Sequence, residues 1–427
     1  MLFTNSIVAT CKQRMDTPNP DINYPRLRAL DFQTIVYEGM RYLHLRDPLA
    51  ITGKTLLVPE PLIPMLTFMD GTHDARDLRT MMARQVGLNV GRTQVHQLIG
   101  TLDEACYLEN ERYRQARQAG LDAFRKMDFR PAANAGRAYP ESREELKAEL
   151  DGYFTDIPTR DIPSSEQTTA VRGILSPHID YERGGFVYAR VWAEAALSAR
   201  KVQQVILLGT DHFSENFSFS LTHLDYSTPL GQLPTDRALV DACARILGER
   251  RAFEGELHHR SEHSIELAVV WLQYILGDRP VRLLPVLCGP LTDYEDRSGS
   301  LENNQTLNEL IRILARAAAE RPTWVIAAGD LSHIGPAFGG FPITPAELNK
   351  VQAGDQRVIQ YILNGDAPGF YAHIRRTEDE TNICGVSPIY LAMRILGRTA
   401  GTSHAYAACP ADTENTSFVT VSGITWA

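Results

Sequence analysis

The sequence predicts an α/β fold in which helices flank a largely parallel, mixed β-sheet, together with a smaller N-terminal α+β domain. In the longer C-terminal part, short apolar runs rich in β-branched residues alternate with segments of helix length. Runs that are apolar at every position are typical of strands buried on both faces, and helix-length connections favour parallel pairing. At 427 residues the chain is also too long for one ordinary core, so we expect two domains.

The composition is that of a folded protein, because 44% of the residues are hydrophobic and 22% are charged, close to the values of globular domains. No uninterrupted apolar stretch approaches the ~18 residues that a membrane-spanning helix needs. The start, MLFTNSIVATCKQR, lacks the basic region and the long apolar region of a secretory signal. We therefore expect a soluble, cytoplasmic protein. A formal net charge of −9 without a long basic run argues against a large nucleic-acid footprint.

The six cysteines form no CxxC pair and no regular spacing, so we expect no disulfide framework at this chain length. They are Cys11, Cys106, Cys243, Cys288, Cys384 and Cys409. Each must therefore be judged by its own surroundings. Cys288 lies in the predicted strand LLPVLCG and is expected to be a small core residue.

We divide the chain into an N-terminal extension (residues 1–29), a small α+β domain (30–128) and a large domain (129–427). The small domain begins with two β-type runs, YLHLRD and KTLLVPE, and continues with the helical patterns LIPMLTFM, DARDLRTMMARQ and TQVHQLIGTLDEACYL. The DGTHD stretch, Asp70 to Asp74, is a turn followed by an aspartate N-cap signal.

This order of elements resembles the winged-helix modules of PqqD type, which hold a leader peptide along a strand edge and a helix. Winged helices also bind DNA, but the last helical pattern, Thr93 to Cys106, contains Asp103 and Glu104 and no lysine or arginine. Such a helix would repel phosphates, so we expect no DNA binding. The alternative to peptide binding is a docking or dimerisation role.

The large domain is preceded by a polar helical segment, Arg112 to Lys126, and opens with FRPAANAGRAYP, whose proline, glycine and small residues are typical of a linker or domain start. Its predicted core strands are GILSP, QQVILLG, RLLPVLCG and WVIAAGD. The segments FSFSLTHLDYSTPLGQLPTD and SFVTVSGITWA are expected to add antiparallel or edge strands. The predicted helices are Val187–Ala199, Arg237–Leu247, Ser264–Ile275, Leu307–Ala319, Pro345–Leu363 and Pro388–Leu396.

Polar residues follow three of the predicted strands. His178 follows GILSP, Asp211 and His212 follow VILLG, and Asp330 and His333 follow WVIAA. In open α/β sheets, ligands bind beyond the carboxyl ends of the strands, so these loops are expected to share one crevice. A single histidine is more often a surface or hydrogen-bonded imidazole, but three at equivalent strand ends weaken that interpretation.

Two further residues lie three positions apart in EHSIEL and therefore on one helical face: His263 and Glu266. They would orient metal ligands or bind substrate. The alternative is an ordinary helix start, with Ser261 or Ser264 as the cap and the glutamate in the first turn.

The remaining histidines are excluded from the predicted site. His258 and His259 are adjacent in the polar, loop-like run HHRSEH and are expected to be solvated. The others have no partner pattern: His44, His73, His96, His223, His373 and His404.

Cys384 lies where the polar turn DETNIC leads into an apolar helix with Pro388 near its start. A thiol near a helix N-terminus has a lowered pKa, which favours the thiolate that binds metal or attacks an electrophile. Imidazole and thiolate together suit Zn, Cu and Fe. The alternative for an isolated cysteine is a small core residue.

Six motifs occur in the order and spacing of the Memo family, which includes bacterial proteins called AmmeMemoRadiSam system protein B: PHIDYERGG, LLGTDHF, EHSIELAVVWLQY, LLPVLCG, AAGDLSHIG and NICGVSPIY. The resemblance covers about Arg130 to Ala427 and starts with RPAANAGRAYP. The sequence departs from the family at ERGG, where many relatives have an aromatic-rich loop, and at Phe213, where many have a second histidine.

The resemblance implies a fold similar to class III extradiol dioxygenases, which use non-haem Fe(II). It also implies metal ligands at His178, His212 and Cys384, with Asp330 and His333 lining the same pocket. Beside a metal, His333 would be the catalytic acid or base, and Asp330 would fix its orientation or bind substrate. His263 and Glu266 occupy the HSIE motif, where they would bind substrate or orient ligands. The expected metal is Fe(II), with Cu or Zn as alternatives. The system name suggests radical SAM and AMMECR-type proteins as partners.

Three functions follow from these observations, in order of preference. The first is a metal-dependent oxidoreductase. The second is a non-catalytic metal-binding or peptide-binding accessory protein, favoured by the N-terminal module. The third is a zinc hydrolase that uses metal-bound water, for which the sequence has no recognised hydrolase motif.

Overall fold

The computed structural model of the protein describes residues 22–155, 170–214 and 218–427. Most of the predicted N-terminal extension, including Cys11, lies outside these residues. The chain divides after Ala123 into two compact units, which we describe separately. Among the described residues, no helix combines the length and the apolar character needed to cross a membrane.

The N-terminal unit is a small antiparallel sheet with helices packed on it, as predicted. The strands β1 and β2 are joined by a two-residue turn, Glu38–Gly39, with φ of 51° and 75°, the left-handed geometry of tight hairpins. The sheet order is β1-β2-β3. The elements are β1 (Asp31–Tyr37), β2 (Met40–Arg46), β3 (Thr55–Pro59), α1 (Ile63–Thr67), α2 (Ala75–Met81), α3 (Arg92–Glu104) and α4 (Glu111–Arg125). The pattern analysis missed β1.

The predicted aspartate cap is confirmed in this unit. Asp74 accepts hydrogen bonds from the backbone N–H groups of Arg76 at 2.7 Å and Asp77 at 2.8 Å. These bonds satisfy N–H groups that have no partner within α2.

Part of the argument against DNA binding is wrong. Asp103 does not face solvent, because its side chain is buried and lies 2.9 Å from Arg112 Nε. It also accepts a hydrogen bond from Asn110 at 2.6 Å. Moreover α3 begins one residue earlier than predicted, at Arg92. Only the exposed Glu104 still opposes phosphate binding.

The larger unit contains a mixed sheet flanked by helices, which confirms the predicted fold class. Its strand order is β12-β14-β5-β11-β6-β10-β7, and β13 pairs with β14. The four strands β5, β11, β6 and β10 are mutually parallel, and the pairings outside them are antiparallel. The strands are β4 (Phe129–Arg130), β5 (Gly173–Ser176), β6 (Gln204–Thr210), β7 (Phe219–Leu221), β8 (Asp225–Thr228), β9 (Gly231–Leu233), β10 (Arg282–Cys288), β11 (Thr323–Ala328), β12 (His333–Ile334), β13 (Gly401–Pro410) and β14 (Phe418–Trp426).

Helices cover both faces of this sheet. Ile206 and Leu208 of β6 belong to one apolar core, and Val205 and Leu207 belong to the other, as expected for a strand that is buried on both sides. The helices are α5 (Arg143–Thr155), α6 (Tyr181–Ala196), α7 (Arg237–Leu247), α8 (Glu249–Ala252), α9 (His263–Leu276), α10 (Gln305–Glu320), α11 (Pro345–Leu363), α12 (Ala367–Arg376) and α13 (Val386–Leu396).

Several parts of this unit differ from the sequence prediction, among them α5, which was not predicted, and α6, which begins at Tyr181 and not at Val187. The strands β8 and β9 do not join the main sheet but form a separate three-stranded sheet with β4. The helix α12 was missed because its start, GDAPGF, has the composition of a turn. Asp366 nevertheless caps that helix by accepting a bond from the N–H of Gly369 at 3.0 Å.

The segment FRPAANAGRAYP, predicted as a linker or domain start, is anchored in the core of the larger unit. Arg130 is fully buried and donates to the backbone oxygens of His259 at 2.7 Å and Glu262 at 2.9 Å. It also forms an ion pair with the buried carboxylate of Glu266. A guanidinium so enclosed fixes the segment to α9, so its small residues serve close packing rather than flexibility.

Candidate metal centre

The candidate centre lies at one edge of the sheet, where the parallel strands β5, β6 and β11 end. His178 follows β5, His212 follows β6 and Asp330 follows β11. Cys384 reaches this edge on the segment before α13, where the N–H of Gly385 donates to Asp330 O at 3.0 Å. A Cβ atom at Gly385 would lie only 2.7 Å from that same oxygen. Glycine is therefore required for the close approach that brings Cys384 to the strand ends.

Three of the predicted side chains converge at this edge. His178 Nε2 lies 3.2 Å from Cys384 Sγ. One ligand atom from each of His178, His212 and Cys384 lies within 4.8 Å of the other two. The two imidazole rings meet at an interplanar angle of 85° with centroids 5.0 Å apart.

The Nδ1 atom of each imidazole is held by an acceptor on the side away from the thiol. His178 Nδ1 lies 3.0 Å from Ala328 O, and His212 Nδ1 lies 3.1 Å from Glu262 Oε1. These bonds assign the N–H to Nδ1 and leave Nε2 as the atom available to a metal.

Glu262 is a site residue that the sequence analysis missed. Its carboxylate is fully buried and accepts hydrogen bonds from the backbone N–H groups of His212 at 2.9 Å, His263 at 2.8 Å and Ser264 at 3.0 Å. It is the N-cap of α9, so the predicted serine cap is wrong. Ser264 Oγ donates to Thr210 O at 2.7 Å instead. The sequence signal that could have identified Glu262 as the cap is an acidic residue immediately before the start of the helix.

His263 joins the imidazole cluster. Its Nδ1 lies 3.0 Å from Glu262 Oε1, and its ring stacks on that of His212 with centroids 4.8 Å apart. Its centroid is 5.3 Å from that of His178. The predicted place of His263 beside the ligand group therefore agrees with the geometry.

Glu266 does not join this cluster, although it lies on the same helix. Its carboxylate accepts from the N–H of Asn134 at 2.8 Å and the N–H of Ala133 at 3.1 Å, and it is bonded to Arg130 and to the hydroxyl of Tyr139. These donors occupy both oxygens. Glu266 was predicted to bind substrate or to orient ligands, but its bonds anchor the first segment of the larger unit and none of them reaches the imidazole cluster.

The two predicted catalytic residues lie beside the ligand group. Asp330 is buried, and its Oδ1 accepts from the backbone N–H of His178 at 2.8 Å. Burial raises the pKa of Asp330. His333 is half-buried at the start of β12, and its Nδ1 lies 3.0 Å from Leu331 O. Burial also lowers the pKa of His333.

The charges of the centre are strongly coupled. Burial would raise the pKa of Cys384, but His178 and His212 outweigh it and lower the pKa to about 7. Burial would lower the pKa of His212, but Glu262 raises it well above its usual value. Burial lowers the pKa of His178. A thiol that ionises readily and two imidazoles together supply donor atoms that can bind a cation.

The distances within the group suit a transition metal. Metal bonds of about 2.0–2.1 Å to nitrogen and 2.3 Å to sulfur place the ligand atoms of one metal roughly 3.3–3.8 Å apart. The measured separations are 3.2 Å for one pair and at most 4.8 Å for the others. His212, Glu262 and His263 also lie within 4.8 Å of one another, but the carboxylate of that set already accepts five N–H groups. Of the two groups, His178, His212 and Cys384 is therefore the better candidate for holding a metal.

A family model described as Memo-like protein matches residues 130–423, more than half of the chain. The chain belongs to this family. It is 28% identical over 321 residues to a MEMO1 family protein of Aquifex aeolicus, covering 74% of this chain and 77% of that protein. It is 28% identical over 279 residues to a MEMO1 family protein of Methanosarcina barkeri, covering 65% and 90% of the two chains. The membership predicted from the six motifs is confirmed.

In this Memo-like chain the two histidines that were expected to be solvated are buried. His258 Nδ1 lies 2.9 Å from Asp211 Oδ2. His259 is bonded to the Tyr226 hydroxyl at 2.6 Å and to Ser220 O at 2.9 Å. Their partners are 33 to 47 positions away, so the local polarity of HHRSEH was misleading. Cys288, by contrast, is buried in the core as expected.

Proposed function

We propose that the protein is a metal-dependent oxidoreductase of the Memo type that binds non-haem iron or copper through His178, His212 and Cys384. The observation that carries this proposal is that the potential ligand atoms of His178, His212 and Cys384 lie within 4.8 Å of one another. Both imidazoles have Nδ1 engaged by an acceptor, and His178 Nε2 lies 3.2 Å from the thiol sulfur. Three protein donors leave coordination positions for substrate or O₂.

A bound iron or copper ion would supply one-electron chemistry that no side chain of the chain provides. His333 would move a proton at Nε2, because its Nδ1–H is held by Leu331 O at 3.0 Å. Asp330 would fix the backbone of His178 through its 2.8 Å bond. His263, whose Nδ1 is held by Glu262, would offer Nε2 to a substrate hydroxyl or carbonyl.

Ring cleavage of the extradiol type is not part of this proposal. In those dioxygenases a carboxylate completes the ligand set, whereas here Cys384 would do so. A thiolate is softer and more polarisable than a carboxylate, and it therefore shifts the preference towards copper and changes the reduction potential of iron.

A second candidate function is peptide binding by the N-terminal unit, in a pathway that includes radical SAM and AMMECR-type proteins. The observation that favours it is the strand β1, which lies at one edge of the three-stranded sheet. Its Phe32 and Val36 side chains are 72% and 70% exposed. An edge strand with exposed apolar side chains can accept an added strand from a peptide.

Metal analysis of protein purified without oxygen, followed by addition of Fe(II), Cu(I) or Zn(II), tests the first proposal. Consumption of O₂ by the iron-loaded or copper-loaded protein, absent in the Cys384→Ala variant, would support redox chemistry. Tight binding of zinc with no turnover in any metal form would instead favour the accessory function.

A further inference from the structure

The candidate metal centre opens on one side into a cavity of about 610 Å³. Thr210, His212 and Cys384 line one end of it. The other walls come from the turn after β10, from the C-terminal half of α12 and from the segment between α12 and α13. Cavities of this volume hold organic molecules rather than a single ion. A substrate of the proposed reaction would therefore lie here.

Much of the wall is apolar. Leu291, Ile374 and Ile383 line the cavity and are otherwise buried, and Val386 and Tyr371 add to the same surface. Such a wall favours a ligand with an apolar or aromatic body, because contact removes apolar surface from water on both sides.

The charged groups of the wall are mainly acidic. Three carboxylates and one guanidinium line the cavity: Asp211, Glu378, Asp379 and Arg375. Asp211 is bonded to His258 at 2.9 Å. Arg375 Nε lies 3.0 Å from Glu295 Oε1, which also accepts from the Tyr371 hydroxyl at 2.6 Å. The guanidinium is thus already paired through Nε, and the carboxylates of the wall outnumber it.

Within the described ranges, no lysine or arginine forms an ion pair with the other two carboxylates. Among the described residues, Glu378 makes no side-chain hydrogen bond or ion pair, and Asp379 accepts one bond, from the N–H of Ile383 at 2.9 Å. Burial raises the pKa of Asp379, and no lysine or arginine in the described part of the chain offsets this effect. Both residues have left-handed backbone conformations, with φ of 52° and 46°. A ligand cation would be attracted to both carboxylates and would stabilise the ionised form of Asp379.

We propose that the cavity binds an organic cation, with its ammonium or guanidinium group against Glu378 and Asp379 and its apolar body towards His212 and Cys384. This inference rests on the proposed function, because it takes the end of the cavity at Cys384 as the reactive end. A free amine and the lysine side chain of a peptide offer the same chemistry. An anionic substrate of the same size is disfavoured by the same carboxylates.

Binding of matched probes to the full-length protein tests this inference. Phenethylamine, 3-phenylpropanol and 3-phenylpropionate share an aromatic body and differ in charge, and the peptide acetyl-Phe-Lys-amide carries the cation on a side chain. At neutral pH, calorimetry should give an affinity for phenethylamine about tenfold higher than for the neutral alcohol, as expected for one charge-assisted hydrogen bond. The carboxylate should bind more weakly still. Tighter binding of the peptide than of phenethylamine would support the inference and identify a side chain as the source.

Variants of the acidic residues test where in the cavity the cation binds. The double variant Glu378→Gln/Asp379→Asn should bind phenethylamine no better than the alcohol, whereas Glu380→Gln, an exposed carboxylate of the same segment that does not line the cavity, should bind it like the wild type. If the double variant does not fold, Glu378→Gln alone should weaken binding about threefold or more.

Equal or tighter binding of 3-phenylpropionate, or unchanged amine affinity in the folded variants, would overturn the inference. Metal content measured on the same samples separates this outcome from the proposed function. A protein that binds metal but shows no preference for the cation would remove only the inference. A preference for the cation in a protein that binds no metal would remove only the proposed metal chemistry.

Discussion

Glu262 Oε1 lies 3.1 Å from His212 Nδ1, and this bond directs Nε2 of that imidazole towards Cys384. The same carboxylate lies 3.0 Å from His263 Nδ1 and caps α9. One buried carboxylate therefore fixes the orientation of two of the three imidazoles in the cluster. The proposed centre therefore depends on Glu262 as well as on the atoms that would touch the metal.

Replacing Glu262 by Gln should weaken metal binding by about 10–100-fold, because an amide neither carries the charge nor accepts from both rings equally well. Competition with a chelator of known affinity measures the effect. Asp236→Asn is the matched control, since Asp236 is a buried carboxylate that caps α7 and bonds Gln204 at the start of β6, the opposite end from His212. Equal losses of affinity in both variants would contradict the orienting role.

His333 should affect turnover rather than metal content. The His178→Ala variant is expected to lose the metal, whereas His333→Ala should keep it and lose roughly 10²-fold or more in rate if the protein turns over a substrate. Metal analysis and O₂ consumption on the same preparations make the comparison. Equal metal loss in both variants would make His333 a ligand, and full activity in His333→Ala would remove it from the mechanism.

The ion pair between Arg130 and Glu266 should be a major determinant of stability. Both side chains are completely buried, so Arg130→Met leaves an unpaired carboxylate and should lower the free energy of unfolding by about 3–5 kcal/mol. The double variant Arg130→Met/Glu266→Gln should cost less than the sum of the single changes. Urea unfolding measures all three. Additive single-variant effects would show that the two groups do not act as a pair.

The stability of the larger unit should fall as the pH is lowered from neutrality. Burial lowers the pKa of His259 to about 3, against an ordinary value of 6.5. Below pH 6.5 the unfolded chain binds a proton at this residue and the folded chain does not. The contribution of His259 to the free energy of unfolding is therefore fully present above pH 6.5 and is lost as the pH falls towards 3. Between these two pH values, one such histidine lowers the free energy of unfolding by about 1.4 kcal/mol for each unit by which the pH falls.

The variant His259→Gln should therefore show a shallower fall in unfolding free energy between pH 6 and pH 4, whatever its stability at neutral pH. Tyr226→Phe keeps the imidazole but removes the hydroxyl bonded to it. It should lower stability by about 1 kcal/mol and retain the wild-type pH slope. Identical slopes in wild type and His259→Gln would contradict the buried neutral imidazole.

The sequence predicted those features that depend on local patterns. The helices Arg237–Leu247 and Pro345–Leu363 have the predicted bounds, because their apolar spacing and their caps lie within the segment itself. The strand ends predicted that His178 and His212 lie at one edge of the sheet, and the ordered set of motifs added Cys384 to them. Helix bounds and residues at strand ends can be predicted from the order and spacing of residues along the chain.

The features that the sequence analysis missed depend on partners far away in the chain. Arg130 lies in a segment whose composition indicated only a linker or domain start, and its partner Glu266 lies 136 positions away. Glu262 lies immediately before the HSIE motif, and only residues of that motif were predicted to belong to the site. Its bond to His212 spans 50 positions. Neither composition nor periodicity reports which distant donor will meet a given carboxylate, so Glu266 was placed in the site and Glu262 was not.

X-ray absorption spectroscopy of the Zn(II)-loaded, full-length protein tests the central claim most directly, because zinc reports ligands without redox changes. The proposed centre predicts one sulfur at about 2.3 Å and nitrogen ligands at about 2.0–2.1 Å from the metal. The Cys384→Ser variant should lose the sulfur contribution and keep the nitrogen contribution. A wild-type spectrum with no sulfur ligand, or one that Cys384→Ser leaves unchanged, would contradict the assignment of His178, His212 and Cys384 as the metal site.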